Sequence, residues 1–390
     1  MIESRIEFYL GNSGVTSINN IMSFDTFVFV LSAGWDYKGT IPSEPVEEAF
    51  FAISRGFQMG RSMGVDTEDL YRLNVFVKKT EKGEKSKQFI KNYLLETYAT
   101  GYIPEINIPL GNFPIVYIET VDELEDKNMN VILLFEFSDY ENTANDGQRH
   151  FELGSLSNFI FPREIGTSSY AIVKNHLFNY PVYSRVLEGT SWKTSEKTED
   201  LWNLLIKKSQ FLGASINQLG FLTIQLENLE KQYQKTVDVI EKIFGSVPNE
   251  IFEGEEYSVI PEWFLGDTEG ISQSYTGRKT VKTMMINNLQ TKVSCIGNWI
   301  RTGSLLFKSI DELSQRLNSF NIDQVLFVRV RLSMKKASDS FHEEAEKIRK
   351  YFDNRYPEKP ILLLTSCKQL PNDMRISVVL YFPLFYISKK

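Results

Sequence analysis

The chain has 390 residues, of which 42% are hydrophobic and 24% charged, and its formal net charge is -7 at pH 7. One hydrophobic core rarely grows beyond about 250 to 300 residues, so this length predicts two or three packed units. The modest negative charge and the scattered Lys and Arg residues argue against a nucleic-acid-binding protein.

Export and membrane insertion are not indicated by the sequence. The N-terminal stretch MIESRIEFYL carries charges and lacks the apolar core of a signal peptide, and the apolar runs are strand-sized. They fall far short of the roughly 20 residues that cross a bilayer. The chain has only 2 cysteines, Cys295 and Cys367, too few for a disulfide framework. We therefore predict a cytoplasmic protein that makes no membrane contact.

One pattern of strand, Gly/Trp turn, helix, strand and helix recurs three times, and we call each copy a repeat. In the first repeat, Ser43 is the candidate N-cap of a helix that runs to about Gly64, with Pro45 in its first turn. The predicted elements of this repeat are the strand 26–32, this helix, the strand 71–77, the helix 85–97 and the strand 114–120. The region that follows, 122–181, holds a strand at 131–137, which we expect at a sheet edge.

The second and third repeats follow in the same order. The second has predicted helices at 197–212 and 229–244 around a strand at 221–227, and a closing strand only if 256–260 is one. The third has predicted helices at 310–320 and 339–352 around a strand at 325–333, and a closing strand at 375–382. Three glycines spaced by four residues, Gly56, Gly60 and Gly64, share a helix face, and we interpret them as sites of packing between repeats.

Two short motifs resemble the Rid/YjgF superfamily. Leu370-Pro371-Asn372-Asp373 is similar to its tight L-P-x-D turn between closing strands, and Ser32-Ala33-Gly34 is similar to its S-G-Q strand end. The resemblance implies an α+β fold of three tandem Rid/YjgF-like (chorismate-mutase-like) units, each a mixed sheet with two helices on one face, forming a pseudo-trimer. The predicted boundaries are 1–121 for the first unit, 122–265 for an insertion plus a divergent second unit, and 280–390 for the third.

The resemblance also implies where a site would lie. Sites in the superfamily lie in clefts between neighbouring units, with an Arg on the penultimate strand that binds a substrate carboxylate and a Glu on the last strand that handles water or a proton. The matching Arg positions here are Ile106 and Leu362, and the matching acidic positions are Tyr117 and Ser377.

Two functions therefore stay open. The first is a chorismatase-like or imine-deaminase-like hydrolase or lyase acting on a carboxylate-bearing, possibly aromatic small molecule. The second is a non-catalytic Rid-like protein that binds a metabolite or a partner protein, having lost the catalytic Arg and Glu. Neither requires an oligomer.

Glu119 and Tyr117 are the candidate catalytic residues. They are two residues apart in an apolar strand and so share one of its faces. Because an ionised carboxylate is costly in apolar surroundings unless it is paired, Glu119 is predicted to be a general acid or base of raised pKa. The alternative is a carboxylate at a strand edge in water.

Four arginines and a tryptophan are the candidate substrate-binding residues. Arg329 and Arg331 alternate with apolar residues, so both guanidinium groups share a strand face, where they could clamp a carboxylate or form the solvated side. Arg185 and Arg301 lie near the Gly/Trp turns and could line clefts. Trp35 has counterparts at Trp192 and Trp299; these three could form aromatic walls, although core packing is the favoured interpretation.

No metal or cofactor is predicted. The 3 histidines, His150, His176 and His342, have no metal-ligand spacing, and the two cysteines are expected to be buried packing residues. The expected partner is a small-molecule carboxylate substrate, with a partner protein in the alternative function, and an oligomer is possible but not required.

Overall fold

The computed structural model describes most of the chain in two compact units. The described residues are 20–24, 27–36, 38–98, 101–103, 108–110, 113–138, 151–154, 168, 170–173, 176–183, 194–265, 281–286, 289–296, 299–318, 325–335, 340–356 and 359–383. The first compact unit comprises 1–157, 161–174 and 361–365, and the second comprises 158–160, 175–360 and 366–390. None of the helices among these residues is long and apolar enough to cross a membrane.

The first repeat forms a five-stranded mixed sheet with two helices. Its elements are β1 (Ile21–Phe24), β2 (Phe27–Ala33), α1 (Pro45–Ser62), β3 (Leu70–Lys78), α2 (Glu81–Tyr98), β4 (Gly101–Ile103), β5 (Ile108–Leu110), β6 (Ile115–Val121) and β7 (Val131–Ser138). The sheet order is β1-β2-β7-β3-β6, and β4 and β5 form a separate antiparallel pair. β6 is parallel to β3, and β7 is antiparallel to both of its neighbours.

Alternation along each strand separates an apolar face from a polar one. Val28, Val30, Leu73 and Val75 join Phe135, Phe137 and the inward residues of α1 and α2 in one buried core. Because successive side chains of a strand point to opposite faces, the residues between them, such as Asn74, lie on the face away from the helices. We call this the open face of the sheet.

Two of the spaced glycines serve helix-to-sheet packing. A Cβ atom on Gly56 would collide with the ring of Phe135, and one on Gly60 would lie 3.0 Å from the ring of Phe137. Gly64 lies beyond the end of α1 with a φ of +85°, where glycine avoids the strain of a left-handed conformation. The interpretation of these glycines as contacts between repeats was wrong, because Gly56 and Gly60 pack α1 on its own sheet.

The closing strands of the first repeat also differ from the prediction. The strand at 131–137 was expected at a sheet edge, but β7 lies in the middle of the first sheet, between β2 and β3. β6 is the edge strand, so Tyr117 and Glu119 belong to the penultimate strand of the repeat and not to the last. A long apolar strand such as VILLFEFS is buried on both faces, which suits a central position.

The first compact unit also holds β8 (Phe151–Gly154) and β9 (Tyr170–Val173), which pair antiparallel.

The second repeat comprises β10 (His176–Asn179), β11 (Val182–Tyr183), α3 (Thr194–Phe211), β12 (Leu219–Leu226), α4 (Leu229–Phe244), β13 (Asn249–Glu253) and β14 (Ser258–Phe264). Its strands are ordered β13-β12-β14-β10, and β11 also pairs with β14. This repeat therefore has both closing strands, including the uncertain one near 256–260.

The third repeat comprises β15 (Val281–Ile286), β16 (Leu289–Ile296), β17 (Trp299–Thr302), β18 (Leu305–Phe307), α5 (Ile310–Asn318), β19 (Phe327–Ser333), α6 (Phe341–Arg355), β20 (Ile361–Cys367) and β21 (Ile376–Pro383). In the second compact unit its strands are ordered β15-β16-β17-β21-β19, with β18 paired to β21. The division between the compact units falls within β20, after Thr365.

The three repeats share one layout, which confirms the predicted α+β fold of three tandem units with mixed sheets and two helices each. In the first two repeats, the strand between the helices is parallel to the penultimate strand and antiparallel to the last. Both also carry a register shift at the start of that strand, between Leu70 and Arg72 and between Leu219 and Phe221. The pseudo-trimer and the exact unit boundaries stay predictions.

A buried carboxylate fastens α1 to the start of β7. Glu48 is fully buried and accepts hydrogen bonds from the backbone N–H of Asn130 at 2.7 Å, from the Asn130 amide at 2.7 Å and from the backbone N–H of Val131 at 3.2 Å. Burial raises the pKa of Glu48, and these hydrogen bonds lower it in part. Gly34 makes room for this side chain, because a Cβ there would collide with Glu48.

Replacement of Glu48 by alanine should lower the free energy of unfolding by about 3 kcal/mol, since two buried backbone N–H groups and the Asn130 amide lose their acceptor. Urea denaturation of Glu48→Ala tests this, with the exposed neighbour Glu47→Ala as the matched control. Equal effects of the two substitutions would contradict the role given to Glu48.

Candidate functional site

Five ionisable side chains meet between the sheets of the second and third repeats. Glu250 and Glu262 come from the second repeat, and Arg301, Arg329 and Arg331 come from the third. All five belong to the second compact unit. We call this set the charged interface.

Strand registers place these side chains on the faces away from the helices. Glu250 of β13 pairs in register with Thr223 of β12, and Glu262 of β14 pairs with Phe221, two residues before Thr223. Residues paired across neighbouring strands, or two apart on one strand, share a face. The open face of the second sheet therefore carries both carboxylates.

The arginines are positioned by the same alternation in the third sheet. Arg329 and Arg331 are two residues apart on β19, and Arg301 of β17 pairs in register with Tyr381 of β21. β21 lies between β17 and β19, and Tyr381 interacts with both Arg301 and Arg329. Two guanidinium groups, those of Arg301 and Arg329, thus interact with one tyrosine.

Glu250 holds two arginines at once. Its Oε1 accepts from Nε of Arg331 at 2.9 Å, and its Oε2 accepts from a terminal nitrogen of Arg329 at 3.1 Å. The side chains of Glu250 and Arg331 are each 1% exposed, whereas that of Arg329 is 13% exposed. The guanidinium of Arg331 also lies 3.7 Å from the centre of the Phe252 ring, a cation–π contact.

The second ion pair joins Glu262 and Arg301. A terminal nitrogen of Arg301 donates to Glu262 Oε2 at 2.7 Å, and the guanidinium lies 3.6 Å from the centre of the Phe221 ring. Arg301 is therefore held at its edge by a carboxylate and on its face by an aromatic ring.

The five charges that define the interface among the described residues do not balance by themselves. Three guanidinium groups, which stay protonated in proteins, face two carboxylates, so the five side chains sum to one positive charge. In addition, the Nε atoms of Arg301 and Arg329 are buried without a hydrogen-bond partner in the described part of the chain. Because unpaired buried donors are costly, these two atoms favour an additional acceptor at this place.

The electrostatics suit anion binding better than proton transfer. Burial alone would raise the pKa of Glu250, but Arg331 and Arg329 outweigh burial and hold the pKa below its usual value. A general base works best with a pKa near the working pH, so Glu250 is a poor one near neutrality. Guanidinium groups, in contrast, bind carboxylates through paired, charge-assisted hydrogen bonds.

A second polar cluster lies on the open face of the first sheet. Glu136 of β7 accepts hydrogen bonds from the Tyr71 hydroxyl at 3.0 Å, from Arg72 at 2.7 Å and from the Asn74 amide at 2.6 Å. The register shift between Leu70 and Arg72 allows the consecutive residues Tyr71 and Arg72 both to reach this carboxylate.

The candidate catalytic pair lies beside this cluster. Tyr117 of β6 pairs in register with Asn74, and Glu119 pairs with Phe76. Both side chains are buried, and the Tyr117 hydroxyl donates to Glu119 Oε2 at 3.3 Å. Glu119 is therefore a buried and hydrogen-bonded carboxylate, and the alternative of a strand-edge carboxylate in water does not hold.

The structure groups the predicted site residues in two places. Arg301, Arg329 and Arg331 meet in the second compact unit, and Tyr117 and Glu119 meet in the first. Arg185 and Trp192 lie outside the described residues. Trp35 is half-buried just after β2, and Trp299 follows the end of β16 by three residues and opens β17. The roles assigned to all these residues stay predictions.

Sequence reasoning missed the carboxylates that the arginines contact. Glu136 and Glu262 are single charges in otherwise apolar strands, Glu250 shares the short strand β13 with Glu253, and each of the three is paired in the structure. A lone charge in an apolar strand is the signal that could have drawn attention to Glu136 and Glu262. The partners of all three, however, lie 39 to 81 residues away along the chain.

In the part of the chain that the structure describes, no group of three or more His, Cys, Asp and Glu side chains could hold a metal ion.

No protein-family model and no curated protein matches the chain. Among solved structures, a chorismatase matches with 10% identity over 81% of this chain and 93% of that chain, with a TM-score of 0.44. TdcF of E. coli, solved with bound serine, matches with 14% identity over 35% of this chain and 98% of that chain, with a TM-score of 0.27. The YjgF gene product of E. coli matches with 12% identity over 33% and 91%, with a TM-score of 0.26.

One of these solved structures bears the name YjgF, which is also the name of the superfamily that the sequence resembles. At identities of 10 to 14% and TM-scores below 0.5 the three structures describe a likeness in fold and carry no argument about chemistry.

The depressed pKa of Glu250 predicts how stability depends on pH. Its contribution is complete above the unfolded-state pKa of about 4.3 and is lost as the pH falls through the lower folded-state pKa. At pH 7, Glu250→Gln should lower the free energy of unfolding by about 3 to 5 kcal/mol, and the difference from wild type should shrink below about pH 4. Denaturation between pH 3 and about pH 7 measures this.

Glu346→Gln, which removes an exposed carboxylate paired with Lys350, is the matched control and should change little. A difference between wild type and Glu250→Gln that stays constant down to about pH 3 would contradict the ionised state of Glu250.

Proposed function

We propose that the protein binds a carboxylate-bearing small molecule at the charged interface, with Arg329 as the principal contact. The observation that carries the proposal is the surplus cation among the three arginines. Within these five side chains, Arg331 is sufficient to neutralise Glu250 and Arg301 neutralises Glu262, so Arg329, which shares Glu250 with Arg331, is the third cation against two carboxylates. A carboxylate ligand would supply the missing negative charge.

The geometry around Tyr381 supports the same assignment. Arg301 and Arg329 lie on the two strands that flank β21, and each has a buried Nε without an acceptor among the described residues. One carboxylate has two oxygens and could accept from both guanidinium groups. Arg329 is also the most exposed of the three arginines, at 13%, so it is the one that a solute can reach.

Aromatic rings around the arginines support a ligand with a flat apolar part. Phe221 lies under Arg301, Phe252 lies under Arg331, and the rings of Phe327 and Tyr381 are 4.9 Å apart. Such surroundings favour an aromatic acid over a small hydrophilic one.

Thermal unfolding in the presence of a panel of carboxylates, which includes chorismate, imino acids and aromatic acids, tests the proposal. A ligand at 100 times its dissociation constant should add about 2.7 kcal/mol of stability. Arg329→Ala should abolish the shift, because the surplus charge is gone. Arg316→Ala, which removes a surface arginine on α5, should retain it. A panel without any hit, or a hit that survives in Arg329→Ala, would refute the assignment.

A second candidate function is a hydrolase or lyase that uses the Tyr117–Glu119 pair. What favours it is a buried carboxylate, 4% exposed, hydrogen-bonded to a tyrosine on the open face of the first sheet. Side chains of this kind act as general acids and bases when a substrate lies within reach.

Glu119→Gln separates binding from catalysis. If Glu119 is a general acid or base, this variant should bind a panel hit as tightly as wild type does. Its turnover rate should fall by about 100-fold or more, which is the usual effect of removing such a group. Product formation measured by chromatography decides this, with Glu123→Gln, a carboxylate just after β6, as the control. Unchanged turnover in Glu119→Gln would rule out the catalytic role of Glu119, and carboxylate binding would be the one proposed function that remains.

A further inference from the structure

Glu250 occupies a place that a ligand carboxylate would take. Its two oxygens contact two arginines on one strand face, at 2.9 and 3.1 Å, which is how a bound carboxylate would be held. It comes from the opposite sheet, through β13, so the protein supplies this carboxylate from its own second repeat.

The two arginines that contact Glu250 differ in how deeply they are buried and in how close they lie to its carboxylate. Arg331 is 1% exposed and stacked on Phe252, and its contact is the shorter one. Arg329 is 13% exposed, its contact is longer, and its Nε has no acceptor among the described residues. Arg331 by itself can therefore neutralise Glu250. Arg329 can move away, because the buried carboxylate then still has one cation beside it.

We infer that Glu250 is a built-in competitor of the ligand: it holds Arg329 in the ligand-free protein and releases Arg329, while keeping Arg331, when an external carboxylate binds. This inference rests on the proposed function, because it concerns the same arginine. It also assigns a regulatory role to Glu250. The affinity for the ligand depends on how readily the ligand carboxylate replaces the Glu250 carboxylate at Arg329.

The exchange conserves charge pairing at the interface. Before binding, Glu250 is shared by two cations and Glu262 is paired with Arg301. After binding, Glu250 keeps Arg331 and Glu262 keeps Arg301, while the ligand carboxylate pairs with Arg329 and can also accept from the Nε of Arg301. No buried carboxylate is left without a cation, which is the arrangement that low-dielectric surroundings require.

Titration calorimetry with benzoate as the probe tests the inference. Glu250→Gln removes the competing charge, so benzoate should bind about tenfold more tightly than it binds to wild type, equivalent to about 1.4 kcal/mol. Glu250→Asp keeps the charge but is one methylene shorter, so it should hold Arg329 less well and give a smaller gain. This variant also serves if Glu250→Gln does not fold. Glu346→Gln controls for the loss of one negative charge on the surface.

The outcomes separate the inference from the proposed function. If wild type binds benzoate through Arg329 and neither folded Glu250 variant binds it more tightly, the proposed function stands and the inference is refuted. If Glu250→Gln binds benzoate and wild type does not, Glu250 blocks the arginines without exchanging, so both the inferred exchange and binding by the wild type are refuted. If no variant binds benzoate, both are refuted.

Discussion

The contact of Glu250 with Arg329 and Arg331 is the constraint on which the second compact unit depends. A buried carboxylate without a cation costs several kcal/mol, so the faces of the second and third sheets must meet where this pairing is satisfied. Strand alternation then fixes which other side chains share the interface, including Glu262, Arg301 and Tyr381. The contact between these two repeats and the candidate site thus share one set of charge pairs.

Equivalent positions of the repeats have diverged in charge. Glu136 pairs in register with Arg72 in the first sheet, and Glu262 pairs in register with Phe221 in the second. The two glutamates therefore occupy equivalent positions of the two repeats. Glu136 finds its arginine on the neighbouring strand, whereas Glu262 reaches across to Arg301 of the third repeat. In the same way Tyr117 corresponds to Glu250. One layout therefore supplies an ion pair within a sheet in one repeat and ion pairs between sheets in another.

Periodicity was sufficient to predict most elements. The helix α4 was predicted at 229–244 and lies at Leu229–Phe244, and β3 and β12 deviate from the predicted strands by one or two residues at each end. Strand order was harder, because β7 follows β6 in the chain but is inserted between β2 and β3. Pairing of this kind depends on long-range packing, which local hydrophobicity does not encode.

The site was only partly predictable for the same reason. The shared face of Arg329 and Arg331 follows from the period of two, as does that of Tyr117 and Glu119. Their partners do not: Glu250 lies 81 residues before Arg331, in a strand recognised only from the fold. Sequence therefore identified the cations, and the structure identified the carboxylate that holds them.

Nitrogen-detected NMR of the arginine Nε–H groups tests the central claim most directly. Assignment would use single arginine-to-lysine variants at Arg301, Arg329 and Arg331. The account predicts that the Nε–H of Arg331 exchanges slowly with solvent and keeps its chemical shift when benzoate is added, because Glu250 retains it. The Nε–H signals of Arg329 and Arg301 should shift as they gain an acceptor. A benzoate-dependent shift at Arg331, or none at Arg329, would contradict the account.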